Sequence, residues 1–254
     1  MFSDNKSASY GGAIRADGTS VVAISNSTFS GNQAEGDYGG AIAFTGNTLR
    51  ASHLTLLDNS AATNGAAIYY GGSGNGIIHN SLVLSSAALV GAPALCAVGG
   101  AGSIGGSYNI EWVNGADTTN CGGSNNVSGG SGAIGAIVET TLADNGGPTP
   151  TLALPAGSPA IGAVDPSGVT SQMFVIDSSQ IWSTGTWEDA TLDQRGVARA
   201  TTPAERSIGA FEYKAPPPPP VNAAPIPVLP ASLMLLLALG LAGVGFRRLK
   251  VAKS

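Results

Sequence analysis

Apolar and polar positions alternate along three short segments, residues 20–25, 48–57 and 76–84, which are rich in Val, Ile, Leu and Thr and bounded by Gly, Asn and Ser. Such a period of two sets one face of an extended strand against a core, so the three segments are predicted strands. They fall inside a repeat. Phe2-Ser3-Asp4-Asn5, Phe29-Ser30-Gly31-Asn32 and Leu56-Leu57-Asp58-Asn59 recur at intervals of 27. A second motif keeps phase with the first: Tyr10-Gly11-Gly12-Ala13-Ile14, Tyr38-Gly39-Gly40-Ala41-Ile42 and Asn64-Gly65-Ala66-Ala67-Ile68, at intervals of 28 and 26. A unit of about 27 residues with two or three strands is too long for a hairpin and lacks the amphipathic helix of leucine-rich or ankyrin repeats. It predicts a right-handed parallel β-helix, an all-β solenoid with one coil per repeat.

In such a solenoid equivalent residues stack at about the 4.8 Å spacing of paired strands. Phe2, Phe29 and Leu56 are therefore expected to form an interior apolar stack, and Asn5, Asn32 and Asn59 a ladder of amides at a turn that tolerates left-handed backbone. The Gly-Gly pairs mark turns that a side chain would obstruct. Asn26, His53 and His79 each lie three residues before Phe29, Leu56 and Leu82. They read as a stacked polar ladder, with a metal site on the two histidines as the alternative; no carboxylate or cysteine accompanies them in register.

Composition agrees with many short strands. The 254 residues include 37 Gly and 15 Pro, and only 11% are charged, too few to solvate many helix faces. Hydrophobic residues at 43% supply a core and exclude a disordered chain. The net charge of −5 conceals an asymmetry. Four of the eleven basic residues, Arg247, Arg248, Lys250 and Lys253, crowd the end, leaving seven basic against sixteen acidic residues, or −9, over residues 1–246. That excludes a basic patch for nucleic acid. Cys96 and Cys121 are an even pair in a Gly/Ser/Asn-rich chain of extracytoplasmic character, which predicts a disulfide closing one loop; two buried thiols are the alternative.

The paired Phe-x-x-Asn and Gly-Gly-Ala-Ile motifs over about residues 1–70 resemble the polymorphic outer-membrane protein repeat, a β-helical repeat of bacterial surface proteins. The third copy drifts, with Leu56 for Phe and Gly65-Ala66-Ala67 for Gly-Gly-Ala, as expected near a terminal cap. A second series follows. Asn80-Ser81-Leu82-Val83, Ser107-Tyr108-Asn109-Ile110, Asp144-Asn145-Gly146-Gly147-Pro148, Gly157-Ser158-Pro159-Ala160-Ile161, Asp193-Gln194-Arg195-Gly196 and Ile208-Gly209-Ala210-Phe211-Glu212 together resemble the choice-of-anchor Q domain of bacterial surface proteins. Gly162 and Ser207 stand where that family usually has Asp. Arg195 is expected to pair with Asp193 or Glu212 as a structural clamp.

The tail predicts a destination. Five prolines, residues 216–220, form a polyproline spacer, and residues 229–246 are 18 uncharged positions, about 27 Å as a helix. That is short but sufficient for one transmembrane helix, and the basic tail Arg247, Arg248, Lys250 and Lys253 sets its cytoplasmic side. Val228-Leu229-Pro230-Ala231 before it resembles a PEP-CTERM sorting signal of the Val-Pro-Leu-Pro-Ala type, with one residue inserted. The resemblance implies an exosortase-type enzyme as partner, inner-membrane anchoring before processing, and delivery to the cell surface or matrix. The expected organisation is thus β-helix repeats over 1–78, a choice-of-anchor Q-like irregular β-rich cap over 79–213, a spacer over 214–227 and the sorting signal over 228–254. Met1 stands one residue before the first motif with no signal peptide ahead of it, so a longer natural chain is expected.

For function, the residues favour a non-catalytic, adhesin-like surface protein without cofactor, whose partners include glycans or other surface proteins. The alternative is a β-helical polysaccharide lyase or hydrolase with its site in upstream coils. Within residues 1–90 the only acids as close as one residue apart are Glu35 and Asp37, and no triad signature occurs. An autotransporter passenger is suggested by the repeats but would need a terminal membrane β-barrel in place of one apolar segment.

Overall fold

The computed structural model describes residues 1–18, 21–90, 94–118, 121–123, 125–164 and 191–217, together with the backbone of an antiparallel hairpin, Gln172–Ile176 with Trp182–Thr186. Residues 1–214 form one compact unit. Its framework is a parallel β-solenoid of about four coils. The longest sheet stacks Phe2–Ser3, Val21–Ser30, Thr48–Leu57, the pair Asn75–His79 and Leu82–Ser85, and the pair Ser103–Ser107 and Ile110–Val113. A second sheet stacks Ile14–Ala16, Ile42–Phe44, Ile68–Tyr70 and Cys96–Val98, and a third stacks Lys6–Ser7, Gln33–Ala34 and Ser60–Ala61. Registers advance by one coil: Val21 pairs Thr48, Thr48 pairs Asn75 and Asn75 pairs Ser103.

The sequence motifs become vertical files. Phe2 lies over Phe29, their rings 4.8 Å apart and 6° from parallel, and the file continues through Leu56 and Val83. On the opposite wall Phe44 stacks on Tyr70 at 5.5 Å. Phe29, Phe44, Leu49, Leu54, Leu56, Ile68, Tyr70 and Ile78 are fully buried between the sheets and make the first core. The Gly-Gly turn has two separate requirements. Gly39 takes a left-handed φ of 73°, and a Cβ on Gly40 would collide with the Ala66 carbonyl of the next coil.

The coils run past the expected boundary at residue 78. Cys96 pairs with Ile68, Ser103 with Asn75 and Glu111 with Val83, so the solenoid extends to Val113, where Ala116–Asp117 folds back antiparallel on the last strand. The fourth coil escapes the repeat pattern because its side chains differ at each diagnostic place. Ala94 and Leu95 accept backbone hydrogen bonds where Gly-Gly-Ala stood, and Glu111 follows Val83 where an apolar residue stood.

Beyond it, the segment holding Cys121 and Asn126 crosses the end of the last coil, and the rest of the described chain packs on the flank of the solenoid. Leu57, Leu82, Leu84, Ile110 and Trp112 point out of the solenoid and are buried under Ile134, Ile137, Val138, Leu152, Leu154, Val164, Ile208 and Phe211, which make a second core. Outside the hairpin, the described residues of this flank hold no strand, only the bridges Ala143 to Thr151 and Leu192 to Ala198 and the short 3₁₀ turns Ile134–Ala136 and Pro203–Glu205. These described residues satisfy their backbone largely through turns and side chains.

Candidate functional site

The asparagine ladder is continuous and largely buried. Asn5 Nδ2 donates to Asn32 Oδ1 at 2.8 Å, and Asn32 Nδ2 donates to Asn59 Oδ1 at 2.8 Å. Each Oδ1 also accepts the backbone N–H of the residue above, at 3.1 and 3.0 Å. The left-handed backbone assigned to these asparagines belongs instead to the residues before them: Asp4, Gly31 and Asp58 have φ of 54°, 67° and 52°. Asn32 and Asn59 are therefore there for their amides. A second ladder, which sequence reading missed, runs through the long sheet: the Leu54 N–H donates to Ser81 Oγ, and the Ser81 N–H donates to Asn109 Oδ1 at 3.0 Å.

The file of Asn26, His53 and His79 needs correction at its last member. Ser52 pairs with His79, so Asn80 stacks beneath His53 and Asn26, and all three have left-handed φ near 50°. His79 stands one place earlier and bonds Ser107 Oγ at 3.1 Å. The histidines thus occupy different files, and among the described residues no group of three His, Cys, Asp or Glu is placed to hold a metal.

Cys96 and Cys121 are joined by a disulfide, with Cα atoms 4.8 Å apart. It ties the last strand of the second sheet to the segment crossing the end of the solenoid. Glu111, 1% exposed, closes the same end: its two oxygens accept the Cys121 N–H and Asn126 Nδ2, each at 2.7 Å. A carboxylate is tolerated in the apolar file because donors beyond the last coil reach it.

The junction between flank and solenoid is the most polar buried place in the described residues. Arg195 grips Asp193 through Nε at 2.9 Å and Nη2 at 2.7 Å, donates to the Glu212 carbonyl and lies 3.6 Å above the Phe211 ring. Burial pushes the Asp193 carboxyl up, but N–H donors of Glu212 and Val197 and the Arg195 guanidinium together hold it below its ordinary value. Glu212 pairs instead with Arg199, Nη1 to Oε2 at 3.3 Å, both side chains sealed from solvent. Burial lowers the Arg199 guanidinium to about 10 despite that partner. Arg199 then reaches Asn26 Oδ1 at 2.8 Å, while the N–H groups of Gly209 and Ala210 bond the Asn80 carbonyl and Thr55 Oγ1. Thr28 donates to Gln194 at 2.6 Å. The Asp-Gln-Arg-Gly and Ile-Gly-Ala-Phe-Glu motifs are thus the staples that hold the flank across successive coils.

The outward surface carries an aromatic strip. Tyr10, Tyr38 and Tyr69 stack at 5.6 and 4.4 Å, with the Arg15 guanidinium 4.9 Å over the Tyr10 ring. Tyr69 fills the place left by Asn64 in the third motif, so its membership is invisible in the alignment of copies. A cleft of about 400 Å³ lies beside the third coil, lined by Asp58, Asn59, Ser86 and Leu89 among others. Both Asp58 oxygens there are taken up by Ser86, its N–H at 2.6 Å and its hydroxyl at 2.9 Å.

Among the described residues no helix is long and apolar enough to cross a membrane. The expected transmembrane segment, the motif Val228, Leu229, Pro230 and Ala231, and the basic tail all lie outside the described residues.

The molecule is by its fold a repeat-built, disulfide-closed parallel β-solenoid. Residues 1–17 and 26–45 match the model of the Chlamydia polymorphic membrane protein repeat, which covers the turns and strands of the first coils. The match and the solenoid together fit a β-helical surface protein. No curated protein and no solved structure matches the chain.

Proposed function

We propose that the chain is the solenoid portion of an exported bacterial surface protein, adhesin-like and non-catalytic, that presents its coils to glycans or to other surface proteins. The repeat match to a membrane-protein family supports the surface location, and the disulfide suits an oxidising compartment. The observation that carries the reading is the surface itself. Buried acids are committed to structural pairs, Asp193 with Arg195 and Glu212 with Arg199, and the cleft carboxylate Asp58 is bonded to Ser86. Facing outward is the vertical row of Tyr10, Tyr38 and Tyr69, suited to binding by shape along an elongated partner.

The resemblance to the choice-of-anchor Q domain and to the PEP-CTERM signal supports a finer reading. The flank would be the module next to the anchor, and an exosortase-type enzyme would cut near Ala231 and pass the body from the inner membrane to the surface or matrix. Fractionation and intact mass of the native protein, captured with an antibody to residues 125–164, test both levels. A product ending near Ala231 in the surface or medium fraction is the expected result. A product that keeps Arg247 and Arg248 and stays in the inner membrane overturns sorting, and one found in the cytoplasm overturns the surface reading itself.

A further inference from the structure

His53 occupies an unusual place. It lies on the outer face of the long sheet, 2% exposed beneath the flank, in a file whose neighbours above and below are the neutral amides Asn26 and Asn80. Neither ring nitrogen makes a hydrogen bond, and two other buried polar atoms of the same junction, Asn80 Oδ1 and Arg199 Nε, are also without one. The groups that act on its charge are all basic. Arg199 and Arg206 act on it from the flank, and His79 acts from its own sheet. The nearby carboxylates are committed elsewhere: Glu212 to Arg199 and the N–H groups of Ala200 and Ser207, Asp193 to Arg195 and the Glu212 N–H.

We infer that His53 is an acid-sensitive latch, whose protonation releases residues 191–213 from the solenoid and bares the apolar face, Leu82 included, on which Gly209 sits. An imidazolium there would be a third cation beside two arginines, with no carboxylate turned to it. Burial first, and then Arg199, Arg206 and His79, hold the ring well below its ordinary 6.5 while the flank is docked. Undocking returns the ring to water and to its ordinary affinity for protons. The open form then binds more protons than the closed one, so docking is complete above pH 6.5 and weakens as pH falls through it. Each pH unit below that value multiplies the open fraction by up to about ten, or by up to about 30-fold between pH 7.5 and 5. The inference is independent of the proposed function, since it concerns two parts of one chain.

Hydrogen exchange of the full chain in detergent micelles reads the latch directly, because the Gly209 and Ala210 amides donate to the solenoid across the junction. Corrected for intrinsic exchange, their protection is expected to fall severalfold, by up to about 30-fold, from pH 7.5 to 5, while the Ile42 and Leu54 amides inside the coils stay protected. His53→Asn places in the file the residue that already occupies it at Asn26 and Asn80 with the same backbone, and should reduce the fall to less than twofold. An equal fall in both proteins, or a parallel loss within the coils, overturns the inference. So does a wild-type His53 ring signal that titrates near 6.5 with Gly209 still protected, a reading that needs no variant.

Discussion

At the scale of single residues the solenoid is governed by a few polar side chains that are buried because the next coil answers them. Asn32 illustrates the rule: its carboxamide takes the Asn5 N–H and Nδ2, and gives hydrogen bonds to Asn59 Oδ1 and the Phe2 carbonyl. Asn32→Ala should therefore destabilise by about 3 kcal/mol, since several buried groups lose partners at once, and urea unfolding at pH 7 measures it. Asp4, which carries the strained φ, should respond differently. Asp4→Gly is expected to be within about 0.5 kcal/mol of wild type, because glycine already fills that place as Gly31 in the next coil. Arg195 is a third case, where charge and shape both count. Arg195→Lys keeps the charge but loses the two-pronged grip on Asp193 and the stacking on Phe211, so a loss of about 2 kcal/mol is expected. The Asp193 carboxyl lies below its ordinary 3.8, so its share of stability is present above that value and is lost as pH falls through the lowered one.

At the scale of elements, the disulfide and Glu111 close the last coil, and their separate contributions can be distinguished. The bond spans 25 residues, for which loop closure predicts about 3.5 kcal/mol; Cys96→Ala with Cys121→Ala should lower the urea midpoint accordingly. This element scale also shows what a sequence can disclose. The first three coils are legible because stacking repeats the same side chain at the same place, as Phe2 over Phe29 and Asn5 over Asn32. The fourth coil is illegible for the same reason: it obeys the backbone register but offers Glu111 and Leu95 in place of the motif. One residue of phase separates the expected partner His79 from the actual one, Asn80, because apolar residues occupy both Leu82 and Val83 and the pattern alone does not say which points inward. The junction was hidden by distance. Arg199 meets Asn26 across 173 residues and Ala210 meets Thr55 across 155, and no local pattern encodes such pairs. The clamp of Arg195 on Asp193, two residues apart, was within reach of local reasoning.

At the scale of the whole molecule, the flank changes what a solenoid ordinarily is. A bare stack of coils is quasi-one-dimensional, each coil answering only to its neighbours, and removing one should leave the others in place. Here one flank touches Asn26, Thr55 and Asn80, which belong to three successive rungs of the long sheet, so the spacing of the coils is read by a transverse element. Deleting residues 32–58 joins Gly31 to Asn59 and removes one coil while keeping the asparagine ladder and every remaining register in phase. The stack itself should survive, with a β-type circular dichroism spectrum. Asn26 and Asn80 then approach by about 4.8 Å, and Arg199 and Gly209 can no longer bond both. The expected outcome is a folded stack with an undocked flank, seen as lost protection at Gly209 and as Trp112, 3% exposed in the intact protein, becoming accessible to a fluorescence quencher. If Trp112 stays shielded, the flank follows the stack and holds no ruler of its own. If the coils unfold as well, the flank is what makes the solenoid a single cooperative body.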